Sequence, residues 1–298
     1  MARRKARIVF SSASDPEPSL PKLFREISGS LFSVVFPAAC SLCGDEMVEP
    51  ALAGICASCW TRLRPWRGPA CDSCGLPFAS ARTRDAAAAL CAACRCGEYQ
   101  FDGARSFGLY VDPLRVVILQ LKFQRRERLG KRLGELLAGV WEEIEEDHGV
   151  DRAVLVPVPL HVLRQRERGF NQAELLAQGL SVSLGKTHGG PAPQVDARSL
   201  RRIRATPPQT GLSVSARHEN VRGVFSVVRP ERIRDKRIVL VDDVMTTGAT
   251  LSACAQALKS AGARSVYALT LARATPEFPG TAPASAGAAV DDSGSARS

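Results

Sequence analysis

Apolar positions along the 298-residue chain alternate between two periods. Ile238-Val239-Leu240-Val241 is an unbroken aliphatic run in which three residues are β-branched, the pattern of a strand buried on both faces of a parallel sheet. The run stops at Asp242 and Asp243; from about Thr250, Leu251, Cys254 and Leu258 fall at helical spacing. Ala153 to Val158 predicts a second buried strand halted by Pro157 and Pro159. Ser106–Val111, Val224–Val228 and Ser265–Leu271 predict three more. Between them, Leu114, Val117, Ile118 and Leu121 predict a helix opened by Pro113, and Leu133, Leu136, Leu137, Val140 and Ile144 form the apolar face of a helix from about Leu129 to Glu146. Leu175, Leu176 and Leu180 mark a further helix. Near the start, Leu23, Phe24, Ile27 and Leu31 predict a short amphipathic helix with too few cations for a membrane surface, so packing on the next module is expected. Strands alternating with helices predict an α/β fold built on a doubly wound, mainly parallel sheet.

Composition narrows this picture. With 45% apolar residues, the length suits two domains, one with a sizeable core. A net charge of +10 implies attraction to polyanions. No apolar run is long enough for a signal peptide or a membrane span, so a cytoplasmic address without membrane insertion is expected. Residues 1–19 are basic and then rich in Ser, Asp and Pro, and 275–298 are rich in Ala, Gly, Ser and Pro; both are expected to be disordered tails.

Nine of the ten cysteines lie between Cys40 and Cys96, and eight form CxxC pairs. Cys40/Cys43 and Cys56/Cys59 are separated by twelve residues, Cys71/Cys74 and Cys91/Cys94 by sixteen. In a reducing compartment this clustering favours metal over disulfides. Four thiolates suit tetrahedral zinc, and each CxxC turn presents two of them, so two structural Zn²⁺ ions are expected, paired either sequentially or interleaved. Cys96 is a ninth candidate; Cys94 preserves the spacing. Gly44 and Gly75 follow a pair where a knuckle needs positive φ. A small module of this kind takes its folding free energy from the metal, and four thiolates leave zinc no open position for chemistry.

Two stretches seek anions. A strand, the small residues Thr246, Thr247, Gly248, Ala249 and Thr250, and a helix N-terminus direct backbone N–H groups at one point, where a phosphate fits. Leu160 to Gln172, with Arg164, Arg166, Arg168 and Gly169, reads as a second strand-to-helix loop that can face the same cleft. Arg198 to Arg222 reads as a mobile basic loop over that cleft, including Arg201, Gln209 and Arg217. Lys122 closes an apolar helix face and stands apart from the solvated charges that follow it. Gly179 to Thr187 imitates a Walker loop, but five residues separate its glycines and no helix follows.

Ile238 to Thr250 resembles the signature of type I phosphoribosyltransferases. That resemblance implies that Asp242 and Asp243 hold the ribose hydroxyls of phosphoribosyl pyrophosphate, that Thr246 to Thr250 wrap its 5′-phosphate, and that Arg164, Arg168 and Gly169 belong to the pyrophosphate loop, with Mg²⁺ accompanying the ligand. Four CxxC pairs, Val156 to His161, Arg168 to Gln172, Gln209, Arg217, Asn220 to Phe225 and the acidic signature follow one another as in the ComF (ComFC) family, over about residues 20–273. The implied organisation is a double zinc ribbon over 20–98 and a phosphoribosyltransferase domain over 99–274. The resemblance further implies a competence protein that binds incoming single-stranded DNA beside a competence helicase and a recombination-mediator protein. An active phosphoribosyltransferase working on an unidentified base is the alternative; the absence of a recognisable base-selecting hood favours binding.

Overall fold

A computed structural model describes residues 39–47, 53–78, 89–123, 126–150, 152–187, 191–206 and 219–275. The helix expected near Leu23, both predicted tails apart from Thr275, and Gln209 and Arg217 lie outside these residues.

The centre is a four-stranded parallel sheet of β1 (Gly103–Leu109), β2 (Val154–Pro157), β5 (Arg237–Met245) and β6 (Ser265–Arg273), in the order β1-β6-β5-β2. Ile238 to Val241 are fully buried because helices cover both faces, as the unbroken aliphatic run predicts. β5 does not stop at the carboxylates: it continues to Met245, since β6 runs beside it and pairs Asp242 with Thr270, Val244 with Ala272 and Met245 with Arg273. The first strand likewise begins earlier than its apolar run, at Gly103, where Tyr267 is its partner on β6.

On one face lie α3 (Leu114–Phe123), α4 (Glu127–Leu136), α5 (Ala138–His148) and α7 (Gln172–Thr187), around a core that includes Ile118, Leu133, Leu176 and Val239. The single helix expected from Leu129 to Glu146 is two, divided at Leu137, whose amide bonds Gly134 O at 3.1 Å. The division leaves α4 free to press its glycine face onto α7. A Cβ at Gly134 would stand 2.2 Å from Leu176 O, and one at Gly179 would stand 1.9 Å from Lys131 O. The false Walker stretch is the end of α7. The other face is covered by α8 (Ala249–Ser260), which buries Leu251, Cys254 and Leu258.

Two further corrections concern segments read as loops. Val162–Arg168 forms a helix, α6, because His161 Nδ1 caps it by accepting from Leu163 N at 3.4 Å. Leu200–Arg202 forms β3, paired antiparallel with β4 (Phe225–Val227) in a separate ribbon.

The cysteine-rich segment closes the outer edge of the sheet. Trp66 N bonds Phe107 O at 2.7 Å and Ala104 N bonds Ser73 O at 2.8 Å, so β1 is not left as an open edge there. Among the described residues no helix is long and apolar enough to cross a membrane.

Candidate metal centres and anion cleft

The two knuckles repeat one construction. Cys40 N bonds Asp45 O and Cys71 N bonds Leu76 O, both at 2.8 Å, and Gly44 and Gly75 have φ of 80° and 65° as their positions require. The pairing is sequential: Cys40, Cys43, Cys56 and Cys59 converge in one cluster, and Cys71, Cys74, Cys91 and Cys94 in another, with the sulfurs of each within 4.8 Å of one another. Cys43 and Cys56 Sγ are 3.8 Å apart and Cys74 and Cys91 Sγ are 3.6 Å apart. Zinc–thiolate bonds of about 2.3 Å in a tetrahedron place sulfurs roughly 3.8 Å apart, so both clusters fit a structural zinc ion. Backbone amides favour the thiolate: Cys40 Sγ accepts from Cys56 N at 3.3 Å and Cys71 Sγ from Cys91 N at 3.3 Å. Burial opposes ionisation of Cys40, yet the amides of Cys56, Cys43 and Leu42 bring it down to about 6. Each cluster's second CxxC pair opens a short helix, α1 (Ala57–Trp60) and α2 (Ala92–Arg95), and Cys96 is outside both clusters, exposed at the end of α2.

The two clusters lie on opposite faces of the sheet. Cys40 and Cys59 share a core with Ile118 and Leu121, whereas Cys71, Cys74 and Cys91 share one with Leu240, Met245 and Leu251.

The expected anion site falls where β2 and β5 reach their carboxyl ends, the place at which parallel sheets bind ligands. Thr246 and Thr247 form the bend after β5, and Gly248, at φ 79°, caps α8. Ala249 is the first residue of that helix and Thr250 the second, and Thr247 Oγ1 accepts from Ala249 N at 3.4 Å. The positive end of the helix dipole therefore lies at the carboxyl end of β5, beside the acidic pair.

The carboxylates have different surroundings. Asp243 is 4% exposed and pairs through Oδ1 with Lys122 Nζ at 3.1 Å, while its Oδ2 is buried without a hydrogen-bond partner. Asp242 is half-buried and accepts Asp243 N at 2.8 Å. Burial, reinforced by the charge of Asp243, pushes the Asp242 carboxyl up to about 7 against the pull of Lys122 and Arg168. Burial works against the Lys122 ammonium, but Asp243 outweighs it and holds Lys122 above the ordinary lysine range.

From α6, Arg168 reaches toward this pair, its guanidinium lowered by burial and by Arg164, with Asp243 and Asp242 acting in the opposite sense. It also bonds Gln172 Oε1 and lies 6.0 Å from the Phe123 ring. Gly169 ends α6 and turns the chain toward Asn171, which caps α7 by accepting Ala173 N at 3.1 Å. Arg164 is exposed. Arg201 is exposed on β3, opposite Ser226, while Arg202 turns inward, stacks over Phe225 at 5.7 Å and feels the charge of Asp242. Arg202 falls within the expected flap, but the sequence does not single it out there. Its signal lay in the alternation of the strand, which a loop reading hides.

A parallel sheet carrying an acidic pair, a glycine-capped helix and surrounding cations defines a phosphoribosyltransferase-type fold, here joined to two tetrathiolate knuckles. The family description "Double zinc ribbon domain" matches residues 31–95 and "Phosphoribosyl transferase domain" matches residues 158–279. Competence protein F of Haemophilus influenzae is 31% identical over 223 residues, covering 74% of this chain and 91% of the relative. DNA utilization protein YhgH of Salmonella typhimurium is 34% identical over 242 residues, covering 80% and 97%. Competence protein ComFC of Bacillus subtilis is 27% identical over 226 residues, covering 74% and 84%. The chain belongs to the ComF (ComFC) family.

Proposed function

We propose that this protein serves DNA uptake by binding single-stranded DNA, and that the cleft between Asp242 and Gly248 retains a pocket for phosphoribosyl pyrophosphate with Mg²⁺. The names of its relatives, competence protein F and DNA utilization protein, support the role in DNA uptake. The observation that carries the pocket is the Lys122 Nζ–Asp243 Oδ1 pair at 3.1 Å on the strand that leads into the N-terminus of α8, with the charge of Arg168 acting on both carboxylates and that of Arg202 on Asp242. In this reading the amides of 246–250 hold the 5′-phosphate, Asp242 and Asp243 take the ribose hydroxyls, and Arg164, Arg168 and Gly169 face the pyrophosphate. The same cations, with Arg201, Gln209 and Arg217 from the flap, track a sugar-phosphate backbone. A competence helicase and a recombination mediator are the partners this role calls for, and the cytoplasm is its place. The metal-bearing segment is taken as 20–98 and the transferase-like unit as 99–274.

The intact acidic pair and phosphate loop favour a second reading, transfer of the phosphoribosyl group to a base. There Mg²⁺ would neutralise the pyrophosphate, and the carboxylates would orient the ribose as its anomeric carbon gains positive character.

Isothermal titration with phosphoribosyl pyrophosphate and Mg²⁺ tests the pocket: binding should vanish in Asp242→Asn/Asp243→Asn, and equal affinity rejects it. For DNA, log K against log salt should be steep, and Arg164→Ala/Arg168→Ala should reduce its slope by about 1.4, the value for two single-strand phosphate contacts. An unchanged slope removes these arginines from the interface.

A further inference from the structure

Phe123, at 73% exposure, is the most exposed large apolar residue and the only exposed aromatic among the described residues. Helix geometry puts its ring in water. On α3, Leu114, Val117, Ile118 and Leu121 line the buried face, and two residues past Leu121 the helix has turned by about 200°, so Phe123 leaves from the opposite side. Single exposed apolar residues are common on folded proteins, and exposure alone makes no site. The placement of this ring is what singles it out.

Two contacts tie it to the acidic pair. Lys122, the residue before it, holds Nζ 3.1 Å from Asp243 Oδ1. Arg168 Cζ lies 6.0 Å from the ring centroid, within cation–π range, while Arg168 Nη1 donates to Gln172 Oε1 at the start of α7. That bond occupies one N–H of the guanidinium and leaves others for a phosphate. At 73% exposure at least one face of the ring stays open. An open aromatic face beside a guanidinium matches the two ends of a nucleotide. The ring takes a base, since every nucleobase has a π-face, and the guanidinium takes the phosphate one sugar away.

We propose that Phe123 is a stacking platform for one nucleobase beside the Asp242–Asp243 site, with Arg168 on the adjoining phosphate. The base belongs to the strand if the protein binds single-stranded DNA, and is the free acceptor if it transfers phosphoribosyl groups. The DNA source rests on the proposed function; the stacking role does not.

The test uses full-length, zinc-loaded protein and two strands of equal length, oligo(dT) and one whose bases are replaced by abasic sites, followed by fluorescence anisotropy. Phe123→Ala should weaken oligo(dT) by about 5- to 150-fold, the loss of one stacked base, and leave the abasic strand unchanged. Its slope of log K against log salt should match the wild type, because no phosphate contact is lost. Phe123→Trp should bind oligo(dT) at least as tightly as the wild type, and Phe123→Leu, apolar but without a π-face, should bind like Phe123→Ala. Equal weakening of both strands in Phe123→Ala, or wild-type affinity for oligo(dT) in Phe123→Leu alone, overturns the platform. A second arm titrates adenine and uracil into protein saturated with phosphoribosyl pyrophosphate and Mg²⁺. Should oligo(dT) bind the wild type and Phe123→Ala equally well, the strand does not use the ring; should the wild type ignore oligo(dT), DNA binding itself is rejected. In both cases the free-base arm decides: base binding that is lost in Phe123→Ala upholds the platform, and base binding that is absent or unchanged overturns it.

Discussion

Lys122 Nζ stands 3.1 Å from Asp243 Oδ1, with the two side chains 22% and 6% exposed. The pair joins the end of α3 to the strand carrying the acidic signature, so a residue at the edge of an apolar helix face becomes a direct partner of that signature. Removing one partner of such a pair leaves the other buried and uncompensated, at a cost of about 3–5 kcal/mol. Lys122→Met should lower stability in urea by that amount, and Lys122→Met/Asp243→Asn should regain most of it. A single substitution costing under about 1 kcal/mol would show that the pair behaves as an exposed one.

Asp242 makes stability depend on pH. Its carboxyl is raised from 3.8 to about 7, chiefly by burial and next by Asp243. The folded protein therefore holds this proton more tightly than the unfolded chain. The resulting stabilisation is complete below about pH 4 and is lost as pH rises through about 7. Urea midpoints measured from pH 5 to pH 8 should fall with pH, and Asp242→Asn should flatten that fall. An unchanged slope in the variant would assign the effect to other groups.

Gly248 is constrained twice, by φ of 79° and by the nearby Tyr99 ring and Met245 methyl. Gly248→Ala should cost at least about 1–2 kcal/mol from the backbone alone, and more from the contacts. Gly97 offers the comparison: its φ is 67°, but a Cβ there would meet nothing within 4 Å. Gly97→Ala should lose only the backbone share, so equal losses in thermal denaturation would mean that the Tyr99 contact is unimportant.

Metal content separates Cys94 from Cys96. Cys94 belongs to the second cluster and Cys96 to neither. Elemental analysis should return two zinc ions per chain for the wild type and Cys96→Ser, and about one for Cys94→Ser. Loss of zinc from Cys96→Ser would reassign the ligand set.

Much of the architecture was legible because its signals are local. Ile238 to Val241 predicts a strand covered on both faces, and β5 is one. Leu251, Cys254 and Leu258 predict the buried face of α8. Signals that depend on partners were harder to see. The extension of β5 to Met245 needs β6 alongside, and the inward turn of Arg202 needs β4 opposite it. His161 looks like an ordinary loop histidine until α6 is known to start after it.

By itself, the chain's spacing of CxxC pairs determined eight thiol ligands in two groups, and its aliphatic runs determined a parallel sheet ending near two carboxylates. These properties survive in any conformation that keeps neighbours together, because period and spacing are set within a few residues. Only the tertiary structure decided that the cysteine pairs join sequentially, that the clusters occupy opposite faces of the sheet, and that Lys122 meets Asp243. Each of those facts joins groups far apart in sequence. Burial then governs their charge, since a cation deprived of water must lie against an anion that the packing of helices on the sheet brings to it.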